Sequence, residues 1–259
     1  MSENPVFNAM KTRFRAGLKT RILAFGSSNT ERLLPGMHWF DVFDLAVHNT
    51  YGCIHHCINT GIGGHSSRDL LDRFEDDAAF YKPHMVFITV GGNDSNPERQ
   101  LNEKQFTANL QELYHRFSLM GCAVVFQTYY APVKEQHDAE YMQKFYRYMD
   151  VIRKVADETK SGLVDHLVRW EYIRKNYPDK HLPLMQDPMH VNRRGNMVMG
   201  LDIVRYFDAR LNIPYANSAY DIAGKDFWNE ALEIQKLMDD NIDDSKSQNF
   251  VVLNKEVIK

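Results

Sequence analysis

From Arg21 onward, short apolar runs alternate with longer stretches in which apolar residues recur at helical spacing. No other feature restricts the fold as much. Strands separated by helix-length segments pair in parallel through crossover helices, whereas hairpins need only tight turns. The runs are Ile22–Phe25, Cys53–Ile58, Met85–Val90, Cys122–Thr128 and Gly162–Val164. They are continuous rather than alternating, as expected of strands buried on both faces. The expectation is an α/β protein with five parallel strands.

Between the runs, Phe106, Leu110, Leu113, Phe117 and Met120 repeat at intervals of four and three, so one helical face is apolar, and Gly121 can close that helix in the left-handed conformation. Ser67 is placed as the N-cap of a second helix carrying Leu70, Leu71, Phe74 and Ala78. A third carries Tyr141, Phe145, Met149, Ile152 and Ala156, and a fourth runs from about Gly195 with Val198, Leu201, Val204 and Phe207. After Asn212-Ile213-Pro214 the pattern changes to a polar connection, a helix over Phe227–Met238 and the acidic run Asp239–Asp244. The tail Phe250–Ile258 suits an added strand, an oligomer contact or a mobile end. The chain therefore divides into an N-terminal arm (1–20), one main domain (21–213) and a C-terminal extension (214–259).

A chain of 259 residues with 44% hydrophobic residues builds one substantial core, and a formal net charge of −3 leaves no basic field for nucleic acid. No segment approaches the roughly 18 uninterrupted apolar residues of a membrane helix, so no integral membrane association is expected. Three cysteines without a signal segment point to reduced thiols and a cytoplasmic protein.

In an open parallel sheet, ligands gather beyond the carboxyl ends of the strands. Three segments there are unusual: Gly26-Ser27-Ser28-Asn29-Thr30, Asn59 to Ser66, and Gly91-Gly92-Asn93-Asp94. A hydroxyl becomes a useful nucleophile only with a base to take its proton and donors where an acyl oxygen turns negative. Asp187-Pro188-Met189-His190 places a carboxylate three residues before an imidazole, close enough to hold Nδ1 and leave Nε2 as the acceptor. The Gly64 N–H and the Asn93 amide suit an oxyanion hole.

These blocks resemble, in order, those of the SGNH (GDSL-type) hydrolases, over roughly Arg21 to Leu211. The resemblance implies a flavodoxin-like three-layer α/β/α sandwich and a serine esterase that uses no cofactor and no metal. By it, Ser28 is the nucleophile and Asp187 and His190 complete the triad. The N–H groups of Ser28 and Gly64 and the Asn93 amide form the oxyanion hole. The first block departs from the usual Gly-Asp-Ser in having Ser27 at the aspartate position, which also leaves Ser27 as a second candidate nucleophile.

Around this set, His65, Tyr129, Tyr130 and Met189 are candidates for substrate contact. The run Cys53-Ile54-His55-His56-Cys57 lacks the usual zinc spacing and is read as a buried strand. The expected partner is a small ester with a short acyl group, acetyl first, with a sugar acetate, a thioester or a lysophospholipid behind it. A flavodoxin-like binding module is the alternative of another class, although no Walker loop or G-x-G-x-x-G pattern is present. The amphipathic set Phe227, Trp228, Ala231, Leu232, Ile234 and Met238 can pack on its own domain or build a homo-oligomer.

Overall fold

The five runs form β1 (Thr20–Gly26), β2 (His55–Asn59), β3 (Met85–Thr89), β4 (Ala123–Gln127) and β5 (Gly162–Val164) of one parallel sheet, in the order β2-β1-β3-β4-β5. The computed structural model describes residues 4–34, 36–211 and 222–242, with side chains from Trp228 onward in the last segment. The connection from Asn212, the Phe227 side chain and the tail Phe250–Ile258 lie outside the described residues.

β1 is paired on both sides, with Ile22 opposite Cys57 of β2 and Met85 of β3. The chain leaves β1 toward one edge and returns to β3 on its other side, so the carboxyl ends of β1 and β3 open a crevice between them. β3 is buried throughout, as its apolar run demands. The edge strand β2 is only partly covered, and it begins at His55 rather than Cys53, because β1 offers it no partner before Thr20.

Helices cover both faces. The Glu103–Leu119 helix packs against Ala139–Thr159 on one side, and Trp39–Tyr51 packs against Arg193–Val204 on the other. Gly121 closes the first of these at φ +69°, with the Cys122 N–H bonding Phe117 O and the Gly121 N–H bonding Ser118 O. On the second face the Phe87 ring meets Trp39, Phe40, Phe43 and Phe207 edge-on, with centroids 5.1 to 6.2 Å apart. Such pairs add about 0.5–1.5 kcal/mol each beyond area burial.

The second helix starts one residue earlier than the sequence suggested. Ser66 is its N-cap, because Asp69 at the third helical position accepts from the Ser66 N–H and hydroxyl. Ser67 instead donates its N–H to Asp94 Oδ1 at 2.8 Å. The helix ends at Asp72 and a separate turn follows, Phe74–Asp77.

Residues 5–15, within the segment read as an arm, form a helix whose Phe7, Met10 and Phe14 are buried in the common core. The terminal helix Ile222–Asn241 buries Ala231, Ile234 and Met238 against Arg193–Val204. It is held there by Gln235, which donates to Val198 O and Asp202 Oδ1 at 2.9 Å and accepts from Arg169 at 2.7 Å. That face therefore packs on its own domain. Among the described residues no helix is long and apolar enough to cross a membrane.

Candidate active site

Ser28 occupies the tight turn after β1, where the Ser27 carbonyl accepts from the N–H groups of Thr30 and Glu31 at 2.9 Å each. The two serines face opposite environments. Ser27 is fully buried with its Oγ 2.9 Å from the Tyr129 hydroxyl. Ser28 is partly exposed, and its Oγ lies 2.9 Å from His190 Nε2.

The imidazole is held from behind by Asp187, with Nδ1 2.8 Å from Oδ2 and 3.0 Å from Oδ1. Asp187 Oδ1 also accepts from the backbone N–H groups of Met189 and His190, both at 2.8 Å. Partial burial raises the Asp187 carboxyl, but the Met189 N–H and the ring and N–H of His190 outweigh it, so the group lies below its ordinary range. An ionised Asp187 accepts a hydrogen bond from the His190 Nδ1–H and so leaves Nε2 free to accept from Ser28. The loop is closed by a Met185–Val191 bridge and runs into the Arg193–Val204 helix, which Asn192 caps.

The segment after β2 passes close over this turn. A side chain at Gly61 would place its Cβ 2.3 Å from the Glu31 N, so only glycine permits the approach. Gly63 comes next to Ser28, with its Cβ position 3.9 Å from Ser28 Cβ, and Gly64 follows at φ +78°. From the end of β3, Asn93 donates its side-chain amide to His65 O at 2.9 Å, which ties the third segment to the second. An amide NH2 has two protons, so a second donor remains at Asn93. Ser28, Gly63-Gly64, Asn93, Asp187 and His190 thus converge on one rim.

The four candidate contact residues fall in different places. Tyr129 and Tyr130 are buried beneath the rim; Tyr129 bonds Ser27, and the Tyr130 hydroxyl contacts Asn29, Met189 and Val191. Burial pushes the Tyr129 hydroxyl up to about 12. His65 stands on the rim with Nδ1 accepting from Arg73 Nε at 3.1 Å. Met189 lines a surface cleft with Asn96 and Tyr141.

Arg73 escaped the sequence reading. Its guanidinium donates to Gly26 O (2.9 Å) and Thr60 O (2.7 Å), lies 4.5 Å from the Phe25 ring centroid, and pairs with Asp77 at 2.9 Å. It therefore clamps the turn after β1 to the segment after β2. Its one trace in the sequence is its position in a helical stripe with Leu70 and Phe74, where a charge needs partners.

On the edge strand, His55 and Cys57 share a face as read, and their ligand atoms lie within 4.8 Å of those of Asp44. Asp44 Oδ1 is 2.6 Å from His55 Nε2. Cys53 stands apart, before the strand, with its Sγ 3.8 Å from His48 Nδ1.

The acetylxylan esterase of Geobacillus stearothermophilus is 27% identical over 158 residues, which span 57% of this chain and 70% of that protein. Among solved structures, Axe2, an acetylxylan esterase from the same organism, superposes with a TM-score of 0.65 at 24% identity, over 77% of this chain and 99% of its own. An acetyl xylan esterase named AlAXEase gives 0.62 at 25% identity, over 71% of this chain and 97% of its own. The model of the GDSL-like lipase/acylhydrolase family matches residues 24–198. That span is more than half of the chain and contains every residue of the converging rim, so this protein belongs to the GDSL-like lipase/acylhydrolase family and is a serine hydrolase of carboxylic esters, of the SGNH type.

Proposed function

We propose that the chain removes acetyl and other short acyl groups from esters through an acyl-serine intermediate, with Ser28 as nucleophile, His190 as base and Asp187 as its orienting carboxylate. The observation that carries this reading is the continuous chain Ser28 Oγ, His190 Nε2, His190 Nδ1, Asp187 Oδ2, with links of 2.9 and 2.8 Å between side chains. Three forms of the Geobacillus enzyme solved as catalytic mutants replace a serine, an aspartate and a histidine, the last two three residues apart. Residue types and spacing match this chain.

In the first step His190 Nε2 takes the Ser28 hydroxyl proton as Oγ bonds the carbonyl carbon, and the carbonyl pair moves to oxygen. The oxyanion is received by the N–H groups of Ser28 and Gly64 and by the Asn93 amide. Collapse breaks the bond to the alcohol oxygen, which leaves with the His190 proton. Water then attacks the acyl group as His190 takes its proton, and Ser28 Oγ leaves with that proton to release the acid. The free thiols of Cys53, Cys57 and Cys122 support a reducing, cytoplasmic setting.

The test is hydrolysis of p-nitrophenyl esters of two to twelve acyl carbons by wild type, Ser28→Ala and Ser27→Ala. The expected result is turnover highest at two carbons, abolished in Ser28→Ala and retained in Ser27→Ala. Turnover surviving in Ser28→Ala sinks the assignment, and preference for long chains sinks the acyl ranking.

A further inference from the structure

Away from the rim, the edge strand carries a group of side chains that ester hydrolysis does not use. His55 and Cys57 lie on one face of β2, as residues two apart on a strand must, and the Trp39–Tyr51 helix brings Asp44 to the same place. A nitrogen of His55, the Cys57 sulfur and a carboxylate oxygen of Asp44 all lie within 4.8 Å of one another. No local cysteine spacing marks such a set, because its third member comes from the preceding helix.

We infer that these three side chains bind a divalent transition-metal ion of the zinc type, with His55 Nε2, the Cys57 thiolate and one Asp44 oxygen as ligands and water in the fourth position. The inference is independent of the esterase reading. His55 pairs with Thr20 at the start of β1, whereas Ser28 follows the end of that strand, so the ion ties helix to edge strand without touching the ester.

The donor set selects the ion. A thiolate and an imidazole suit zinc or cobalt, while calcium and magnesium take oxygen ligands. Bonds to a tetrahedral zinc run about 2.0–2.3 Å, which sets ligand atoms about 3–4 Å apart. Asp44 Oδ1 and His55 Nε2 are 2.6 Å apart, so that contact widens as the ion replaces the hydrogen bond. Asp44 has room to give, because its side chain is half exposed; the His55 side chain is only 2% exposed, so the ion enters past Asp44.

Binding sends the Cys57 thiol proton to solvent and moves the proton of the neutral imidazole from Nε2 to Nδ1. Nδ1 is buried without a partner among the described residues. A ligating histidine ordinarily donates that proton to an acceptor, and lack of one costs about 10–100-fold in affinity. The expected affinity is therefore micromolar rather than nanomolar.

Two other readings account for less. A plain His–Asp pair explains the 2.6 Å contact but not the Cys57 thiol, which bonds the same carboxylate. A Cys–His nucleophile needs the second ring nitrogen on sulfur, and that nitrogen has no such partner.

The experiment titrates the full chain, stripped with a chelator and kept reduced by a phosphine, first with Co²⁺ and then with Zn²⁺. Wild type is expected to bind a single equivalent of Co²⁺ with the near-ultraviolet band of a cobalt–thiolate bond, and Zn²⁺ to erase it. Cys53→Ser should keep the band and Cys57→Ser lose it. Asp44→Asn, a change at a half-exposed position whose folding is checked by thermal unfolding without metal, should bind about tenfold more weakly or worse. Zn²⁺ should also raise the unfolding temperature of wild type more than that of Asp44→Asn. Absence of the band in folded wild type overturns the site, as does equal binding by wild type and Asp44→Asn. A band lost in Cys53→Ser and kept in Cys57→Ser overturns it in favour of the His48–Cys53 pair.

Discussion

The hydroxyl of Tyr130 lies 2.6 Å from Asn29 Oδ1, directly after Ser28, and the same oxygen is 2.8 Å from Met189 O and 3.0 Å from the Val191 N. One fully buried group thus joins the Ser28 turn to the loop carrying His190. Burial pushes its pKa well above the usual tyrosine value, so it remains a donor at any working pH.

Tyr130→Phe deletes that oxygen and leaves Asn29 Oδ1, Met189 O and the Val191 N–H without it. A buried polar group stripped of its partner costs about 1–3 kcal/mol, so denaturant unfolding should show a loss of about 2 kcal/mol. The Ser28–His190 spacing should loosen as well, and kcat for p-nitrophenyl acetate is expected to fall tenfold or more with KM little changed. A stability loss with kcat intact would show that Tyr130 supports the core without setting that spacing.

Arg73 acts on the other side of the same turn, bonding the carbonyls of Gly26 and Thr60 at once. A planar fork can bridge two carbonyls while lying on the Phe25 ring; an ammonium cannot keep all three contacts. Arg73→Lys is therefore expected to slow organophosphate labelling of Ser28 by about an order of magnitude, and Arg73→Met by more. Equal labelling rates in the folded variants would make the clamp irrelevant to the nucleophile.

These two residues also mark where the sequence is readable and where it is not. β1 and β3 are legible because strands covered on both faces need unbroken apolar runs. The start of β2 is not, since it depends on where β1 begins to offer a partner. Ser66 and Ser67 are equivalent as isolated N-cap candidates; only the spacing to Asp69 separates them. Ser28, His190 and Asp187, which the fold brings within hydrogen-bond reach of one another, stand out in the sequence because acyl-transfer chemistry needs particular side chains at particular separations. Arg73 and Tyr130 link the turns largely through backbone groups, the carbonyls of Gly26, Thr60 and Met189 and the Val191 N–H, which every residue carries, so those links leave no mark in the spacing. Depth is equally hidden: Tyr129 and Tyr130 follow β4 as a rim residue would, yet both lie beneath the rim.

Asp187→Asn tests the orienting carboxylate. The amide oxygen can still accept from the Met189 and His190 N–H groups, which keeps the loop in place. Its NH2 then faces Nδ1 as a donor, which puts the ring proton on Nε2 and removes the acceptor from Ser28. The expected loss in kcat is on the order of 10³–10⁴ with the unfolding midpoint little altered. Asp187→Ala should lose activity similarly but also unfold earlier, because the two backbone bonds go with the side chain. Activity of Asp187→Asn within tenfold of wild type would remove Asp187 from the mechanism.

Asp94 makes stability depend on pH in the sense opposite to an ordinary ion-paired carboxylate. Its side chain is buried next to Asn93 in the chain, with Oδ1 accepting from the Ser67 N–H and Oδ2 buried without a partner among the described residues. Burial pushes its pKa up to about 6, and the hydrogen bonds from Ser67 oppose that rise. In the unfolded chain the group titrates near 3.9. Folding then favours the protonated form: its contribution is fully present below about pH 4 and is lost as pH rises through about 6. A separation of about two pKa units corresponds to roughly 3 kcal/mol across that window. Asparagine at position 94 cannot ionise. Urea unfolding at pH 4, 5, 6 and 7 should therefore show wild type losing stability relative to Asp94→Asn as pH rises, with the difference levelling off above pH 7. Two parallel curves would mean that Asp94 does not titrate between those limits and that its unpartnered oxygen is stabilised in some other way.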